Sequence, residues 1–378
     1  MPFEEQTIVN IRGKMIEAVQ RGMTIAQVAR DFGVSRPTVY EWLSRWDPDE
    51  ERSLADRSHA PHVQARETPA QIEQLLIAER KRWGFGSKKI LQRLREQHPR
   101  LQWPHRSTVD AMFDRAGLVE KRRRPRRTHR VVPFRRPYLA HQPGELWTAD
   151  FKGQFRLGNG QYCYPLTVAD QVSRFLIVAH ALPDVTLEPT WRRIERALRE
   201  HGLPKAFHTD NGTPFGHGLS RLSTMSVRLM KLDIEPVFSR PGRPQDNGAH
   251  ERMHRTLKES ATIPPADSFA AQQKKLDAFR HMFNHERPHE ALGQRRPASV
   301  FTGGTRPFPR REPVIEYEPY LHVRRVSQQG AIKWGGQAIF LSQALAGEWV
   351  ALKPLDYDTH EVYFARFLIG RLRENKFI

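Results

Sequence analysis

Apolar positions recur at helical spacing through the first 46 residues. Ile8, Ile11, Met15, Ile16 and Val19 form one stripe, and Ile25, Val28 and Ala29 form a second. Gly33 then offers a tight turn, Ser35 a natural N-cap, and Pro37 a first-turn residue whose missing N–H costs little. Val39 and Trp42 return to the inward face. Two helices joined by a short glycine turn predict a helix-turn-helix over residues 1–46, with Arg36, Thr38, Tyr40 and Glu41 on the outward face of its second helix. Residues 47–66, which contain SLADRSHAP, are polar and read as a linker. Residues 67–120 carry three more helical stretches, PAQIEQLLIAERKRW, GSKKILQRLREQ and STVDAMFDRAG. The last is expected to be capped by Ser107 and to stop near Gly117, giving a second helix-turn-helix-like unit.

Beyond residue 140 the pattern changes to alternating strand and helix. GELWTADFKGQFRL and QYCYPLTVADQ are apolar runs around Gly158-Asn159-Gly160, a strong hairpin turn. SRFLIVAHAL predicts a third strand, 186–201 a helix, KAFHTD a fourth strand, 217–232 a helix and IEPVFS another strand. Helices over 246–261 and 268–284 follow. Three opening strands followed by helix-strand alternation predict a mixed α/β sheet over 141–305. From about 306 to 378 short strands return, in VIEYEPYLHVRRV, AIKWGGQAIFL, EWVALKP and HEVYFARFLIGRL. Gly-rich or polar turns separate them, as in a small antiparallel, all-β barrel.

Charge narrows the class of partner. Lys plus Arg number 61 against 42 Asp plus Glu, a formal net charge of +19. That excess points to a polyanion, nucleic acid first and an anionic membrane second. No apolar run reaches the roughly 18 residues that a membrane span needs, and MPFEEQTIVN lacks the pattern of a signal peptide. Cys163 is the only cysteine, which excludes an internal disulfide and a cysteine-rich zinc site. A cytoplasmic, nucleoid-associated location is the expectation. The charge concentrates in residues 121–140, where KRRRPRRTHRVVPFRR holds nine Lys or Arg in sixteen. Such a block stays extended until it meets phosphate. Arg122, Arg123, Arg124, Arg126 and Arg127 therefore join Arg36, Thr38 and Tyr40 as candidate DNA contacts.

Three acids stand where a sheet presents its edge. Asp150 lies on the first core strand. Asp210 ends the fourth and is followed by Asn211-Gly212, a turn that exposes its carboxylate. Glu251 lies one turn inside the next helix. Singly, each has a plain explanation: a strand-end surface residue, a turn cap, one arm of an ion pair with Arg255. Brought together they would repel unless a cation bound. Hard divalent ions suit oxygen ligands, and two of them about 3.5–4 Å apart would serve attack on a phosphodiester.

The flanking residues sharpen this reading. WTADFKG, HTDNGTPF and RPGRPQDNGAHERMHRTLK closely resemble the motifs of bacterial insertion-sequence transposases with a retroviral-integrase-type (DDE, RNase H-like) catalytic core. FNHERPHEALGQRRPASVF resembles the segment that follows that core. The resemblance covers nearly the whole chain. It implies that Asp150, Asp210 and Glu251 are a metal-binding acidic triad using two Mg²⁺, with Mn²⁺ able to substitute. It further implies double-stranded DNA as partner, both element ends and target, and a homo-oligomer when DNA is bound. The activity implied is binding of terminal inverted repeats, end cleavage and strand transfer. The alternatives are a catalytically silent DNA-binding regulator derived from a transposase, and a nuclease that cuts without rejoining.

Two departures from the family accompany the match. Forty residues separate Asp210 from Glu251, a longer interval than in many relatives, and the His/Cys zinc module of retroviral integrases is missing. Asp246 and Glu259 are rival third ligands. Arg255 and Lys258 follow Glu251 at i+4 and i+7 and would grip phosphates beside the scissile bond. Arg243 sits in the loop RPGRPQDNG, which could lie against the DNA end. His254 is adjacent to that helix face, as a DNA contact or a structural histidine. His208 and Asn211 would orient the second acid or the substrate. Asn284, Arg287, Pro288 and His289 would fix the following loop. Trp147 and Trp334 read as core or cross-strand partners, and Cys163 as buried and inert.

Overall fold

The computed structural model describes residues 8–50, 53–56, 67–120, 138–216, 222–240, 248–356, 358–374 and 376–377. The chain divides into two compact units, Met1–Pro69 and Ala70–Ile378.

In the first unit the helices are α1 (Ile8–Gln20), α2 (Ile25–Asp31) and α3 (Arg36–Arg45). Local chemistry sets their limits. Thr24 and Gln27 close a reciprocal capping box at the start of α2. Gly33 takes the left-handed turn at φ 65°. The Ser35 hydroxyl accepts from the Thr38 N–H, with Pro37 in the first turn of α3. Met15, Ile16, Val28, Val39 and Trp42 make the core, and Leu54, in the stretch read as linker, is buried with them. Arg12 and Arg45 cover the Trp42 ring at 3.7 and 4.2 Å from its centroid.

The second unit opens with α4 (Ala70–Trp83), α5 (Ser87–Gln97) and α6 (Arg106–Arg115), packed around Leu76, Ile90, Leu94, Val109 and Phe113. Here one expectation needs correction: Ser107 is not the cap of α6. The helix starts one residue earlier, and the His105 side chain accepts from the Ser107 N–H. An imidazole nitrogen does there what a hydroxyl was expected to do. Gly117 does mark the stop, at φ 68°.

The sheet that follows comprises β1 (Leu146–Phe151), β2 (Phe155–Arg156), β3 (Tyr162–Asp170), β4 (Leu176–Leu182), β5 (Ala206–Thr209) and β6 (Glu235–Phe238). Its order is β4-β3-β1-β5-β6, with β2 paired to the first residues of β3. β3 runs antiparallel to β1 and β4, whereas β1, β5 and β6 are parallel. The sheet is therefore mixed. Strand alternation sends Trp147, Ala149, Leu166 and Val168 to one face, against Ile194 and Leu198 of α7 (Leu187–His201). α8 spans Thr224–Lys231, and residues 217–221 of the helix expected over 217–232 lie outside the described residues. Cys163, Leu176 and Ala179 face the other way. They meet α9 (Gly248–Leu257) and α10 (Phe269–His281) through Met253, Leu257, Leu276 and Phe279. α9 continues as a wider π turn over Lys258–Thr262, and α10 over Met282–Glu286. Trp147 and Cys163 are fully buried.

After the core come β7 (His322–Arg325), β8 (Ala331–Trp334), β9 (Gln337–Phe340), β10 (Trp349–Pro354), β11 (Thr359–Phe364), β12 (Phe367–Arg373) and β13 (Lys376–Phe377). They form an antiparallel sheet in the order β13-β12-β11-β10-β7 and a β8–β9 hairpin. Both share a core of Val326, Ile332, Leu345, Val350, Val362 and Phe364, to which Val227 and Met230 of α8 belong. Trp334 is half-buried against His322 and His360.

The α4–α6 helices are joined to the core by charge. Arg93 of α5 is only 2% exposed. Its Nη1 donates to the Glu286 carbonyl and carboxylate, both at 2.6 Å, while Glu79 lies 3.4 Å from its Nε. Lys88–Glu290 at 2.5 Å and Arg296–Glu96 at 2.6 Å flank it. Replacing Arg93 by Ala strands two carboxylates at a buried seam, a loss expected to be about 3 kcal/mol. The urea midpoint of the full chain should fall accordingly, and an unchanged midpoint would refute the structural weight given to Arg93.

Candidate active site

Strand register decides which acids meet. β1 and β5 pair with Leu146 opposite Ala206, Trp147 opposite Phe207 and Thr148 opposite His208. Carried two residues on, the register sets Asp150 level with Asp210, on neighbouring strands about 4.8 Å apart. Asp210 lies one residue past the end of β5, and its Oδ1 accepts from the Gly212 N–H at 3.1 Å. A Cβ at 212 would sit 3.1 Å from Asp210 Oδ2, so glycine leaves the turn room to close on the carboxylate. Asn211 donates to the Ser239 carbonyl at 2.8 Å, and His208 Nε2 meets the Ser239 hydroxyl at 3.1 Å. These contacts tie the Asp210 turn to the end of β6.

α9 brings the third acid. Glu251 is exposed in its first turn. The buried face of α9 carries His250 and His254 one turn apart, their rings edge-to-face at 4.7 Å. Both imidazoles converge on the Thr167 hydroxyl, His250 Nε2 at 2.6 Å and His254 Nε2 at 2.7 Å. That hydroxyl donates to the Asp150 carbonyl at 2.9 Å. It is left as acceptor for both rings, which fixes the Nε2–H tautomers. His250 Nδ1 then faces the Thr148 hydroxyl at 2.9 Å. One strand residue, opposite Asp150 in the β1–β3 register, thus anchors both the Asp150 backbone and the Glu251 helix. Burial holds both rings neutral, His254 pushed down to about 3 and His250 well below its usual value. His254 Nδ1 lies 3.8 Å from Asp150 Oδ2, a polar neighbour and not a charged partner. His254 is a structural histidine.

Thr167→Val keeps the shape of the strand and leaves two imidazole N–H groups without an acceptor. A loss of about 1–3 kcal/mol is expected, largely restored by Thr167→Ser. Equal urea midpoints for the Val and Ser variants would contradict this anchoring role.

The electrostatics are those of crowded acids. The Asp150 side chain is 26% exposed. Its pKa is pushed up to about 7, first by burial and then by the Asp210 charge, with a smaller push from Glu251. The Phe151 N–H and Lys152 pull the other way. Asp210 is also raised, by partial desolvation against the Gly212 hydrogen bond. Asp170, another buried acid on the sheet, is satisfied by the Gly144 and Ser173 N–H groups and the Ser173 hydroxyl. Its role is to close a loop.

Among the described residues, no group of three or more His, Cys, Asp or Glu side chains is gathered closely enough to hold a metal ion. Negative charge nevertheless accumulates where Asp150 and Asp210 meet. Two carboxylates on adjacent strand ends, with a third close enough to raise the first, leave excess negative charge that a hard cation would neutralise.

The outward residues are distributed as follows. Arg255 and Lys258 are exposed, and among the described residues neither makes an ion pair, so the Glu251–Arg255 pair is not formed. Lys258 begins the π turn, where spacing widens beyond that of an α-helix. Glu259 stands in the same turn, past the first acid-bearing turns. On α3, Arg36 and Tyr40 project, Tyr40 being 59% exposed. The Thr38 hydroxyl is already engaged with Ser35 at 2.8 Å. Arg122, Arg123, Arg124, Arg126, Arg127, Arg243 and Asp246 lie outside the described residues. His250, Thr148 and Thr167 were not singled out from the sequence. Their signal was available: His250, Met253, His254 and Leu257 repeat at the spacing of a buried helix face.

Two models described as Integrase core domain match residues 140–244 and 232–297, and a Homeodomain-like domain matches 10–54. The insertion element IS407 uncharacterized 31.7 kDa protein of Burkholderia multivorans is 27% identical over 230 residues, 59% of this chain and 76% of that protein. The Pol polyprotein of Radiation murine leukemia virus is 30% identical over 122 residues, 32% of this chain and 20% of that polyprotein. The HTLV-2 integrase catalytic core domain, solved in complex with magnesium, aligns with a TM-score of 0.32 at 13% identity, covering 43% of this chain and 98% of that one. The fold and the family matches define a protein with an integrase core and a homeodomain-like helical domain. The insertion-element relative points to the same kind of protein: this chain is similar to it over 59% of its length. Among the described residues no helix is long and apolar enough to cross a membrane.

Proposed function

We propose that this chain binds the terminal inverted repeats of an insertion sequence and catalyses end cleavage and strand transfer, with Asp150, Asp210 and Glu251 as its acidic triad. The observation that carries the reading is the parallel β1–β5 register, which levels Asp150 with Asp210, together with the rise in the Asp150 pKa that Asp210 and Glu251 contribute. The three carboxylates would hold two Mg²⁺, replaceable by Mn²⁺. When bound, such ions activate the attacking oxygen and stabilise the leaving one on a phosphodiester. Thr167 and its two histidines hold α9 against β1, which keeps Glu251 on the side of the sheet that Asp150 faces. The neutral, hydrogen-bonded imidazoles are spoken for, so the proton of the attacking hydroxyl leaves without help from a histidine.

DNA contacts follow from the charge. Arg255 and Lys258 grip phosphates beside the scissile bond, and Arg243, which precedes α9 in the sequence, joins them. Arg36, Thr38 and Tyr40 face the duplex from the helix-turn-helix, and Arg122, Arg123, Arg124, Arg126 and Arg127 track its backbone. We read residues 1–46, 67–120, 141–305 and 306–378 as successive domains, the last a small β-barrel, with linkers at 47–66 and 121–140. Synapsis of two ends calls for a homo-oligomer on DNA, in a bacterial cytoplasm at the nucleoid. The test is nicking of a labelled duplex bearing an element end. Products ending in a 3′-hydroxyl with Mg²⁺ and none with EDTA are expected. Specific binding without cleavage under any metal would indicate a regulator.

A further inference from the structure

The seam between α5 and the segment after α10 neutralises its cations selectively. Lys88 is paired with Glu290, and Arg93 with Glu286 and Glu79. Between these ion pairs lie Lys89 and Arg287, on the buried Phe85 ring. The Lys89 Nζ is 5.9 Å and the Arg287 guanidinium carbon 5.4 Å from its centroid. Among the described residues neither cation has a carboxylate within ion-pair distance, although Glu290 acts on Lys89 and Glu259 on Arg287 from farther away. His289 stands in the same field, its ring against Phe283 at 4.6 Å, with Nε2 buried and no hydrogen-bond partner among the described residues.

We propose that Lys89 and Arg287, in whose field His289 stands, form a site for a single phosphate group, occupied by a backbone phosphodiester when the chain holds DNA. This rests on the DNA-binding reading above and adds a site that is separate from the acidic triad. Two like charges sharing one buried ring repel each other, and water screens them only in part. The surroundings push Lys89 down to about 8, by burial first and the Arg287 charge second. His289 is driven to about 3, by burial first and then by Lys89 and Arg287. An anion between the cations removes that strain. A guanidinium beside an ammonium suits a tetrahedral oxyanion, the guanidinium binding in a fork and the ammonium as a point charge. The cations are half-buried. The chain's net charge of +19 makes a polyphosphate the partner that supplies it.

The experiment uses the full chain, a fluorescent duplex and a salt series, with Lys89→Gln, Arg287→Gln, their double variant and Arg287→Lys. Each phosphate contact contributes about 0.9 to the slope of log K against log salt. The double variant is expected to bind roughly tenfold more weakly at low salt and to lose about one unit of that slope. Arg287→Lys should keep most of both. Without DNA, the melting temperature of Lys89→Gln should stay equal or rise, because repulsion is relieved; a purely structural role predicts a fall. Inorganic phosphate is the second probe. A rise in wild-type melting temperature that the double variant lacks, with duplex binding unchanged, would assign the site to free phosphate instead of DNA. Unchanged affinity, slope and phosphate response in the double variant overturn the proposal, as does a lower melting temperature with binding intact. A wild type that binds no duplex overturns the DNA-binding reading as well, which separates the two failures.

Discussion

Asp150→Asn, Asp210→Asn and Glu251→Gln should each abolish cleavage and joining while leaving duplex binding nearly intact. Every substitution is close to isosteric and removes one negative charge from the place where β1, β5 and α9 meet. An amide oxygen is a poor ligand for a hard dication beside carboxylates, so metal occupancy falls with the charge. Metal assistance is worth several kcal/mol at the transition state, so the expected loss is on the order of 10³-fold or more. Binding survives because the cations that face DNA are not altered. Gel-based nicking and joining assays beside anisotropy would measure both properties. Retained activity in any one variant removes that residue from the triad.

Asp150→Asn should also make the metal-free protein more stable at pH 8, an unusual gain for an inactivating change. The folded pKa of Asp150 is about 7, above the ordinary unfolded value near 3.9. Below about pH 4 both states hold the proton and the group costs nothing. As pH rises towards 7 the unfolded chain releases its proton first, so wild-type stability declines across that window and then levels off. Asparagine carries no such penalty. At about 1.36 kcal/mol per pKa unit the gain is on the order of 2–4 kcal/mol at pH 8, vanishing near pH 4. Urea melts in EDTA at both pH values would read it, and Mg²⁺ should stabilise wild type but not the variant. An Asn variant less stable than wild type at pH 8 would contradict this picture of Asp150.

Features set by near neighbours along the chain are legible in the amino-acid sequence. The Gly33 turn, the Ser35 cap and Pro37 depend on a few adjacent residues, and α3 begins where they place it. The strand runs around Asp150 and the hairpin at Gly158-Asn159-Gly160 follow from alternation and turn chemistry. Features set by distant partners are not legible. Thr167 anchors α9 only because β1–β3 pairing sets it opposite Asp150. Arg93 reads as the polar face of α5, yet it is buried because Glu286, 193 residues later, meets it. The π turns at Lys258–Thr262 and Met282–Glu286 leave no clear mark in the hydrophobic pattern. They shift which later residues share the face of Glu251. Around the candidate site, the acids are visible as motifs, whereas the histidine-threonine joint beneath them is visible only as a helix stripe without a known partner.

The central claim is that one set of three carboxylates performs both chemical steps. The most direct measurement supplies a pre-cleaved element end, already carrying its 3′-hydroxyl, with a supercoiled target plasmid and Mg²⁺. Wild type should join the labelled end to the plasmid and Glu251→Gln should not, although both bind it. Joining by Glu251→Gln at the wild-type rate would contradict the account, since strand transfer would then proceed without the third acid.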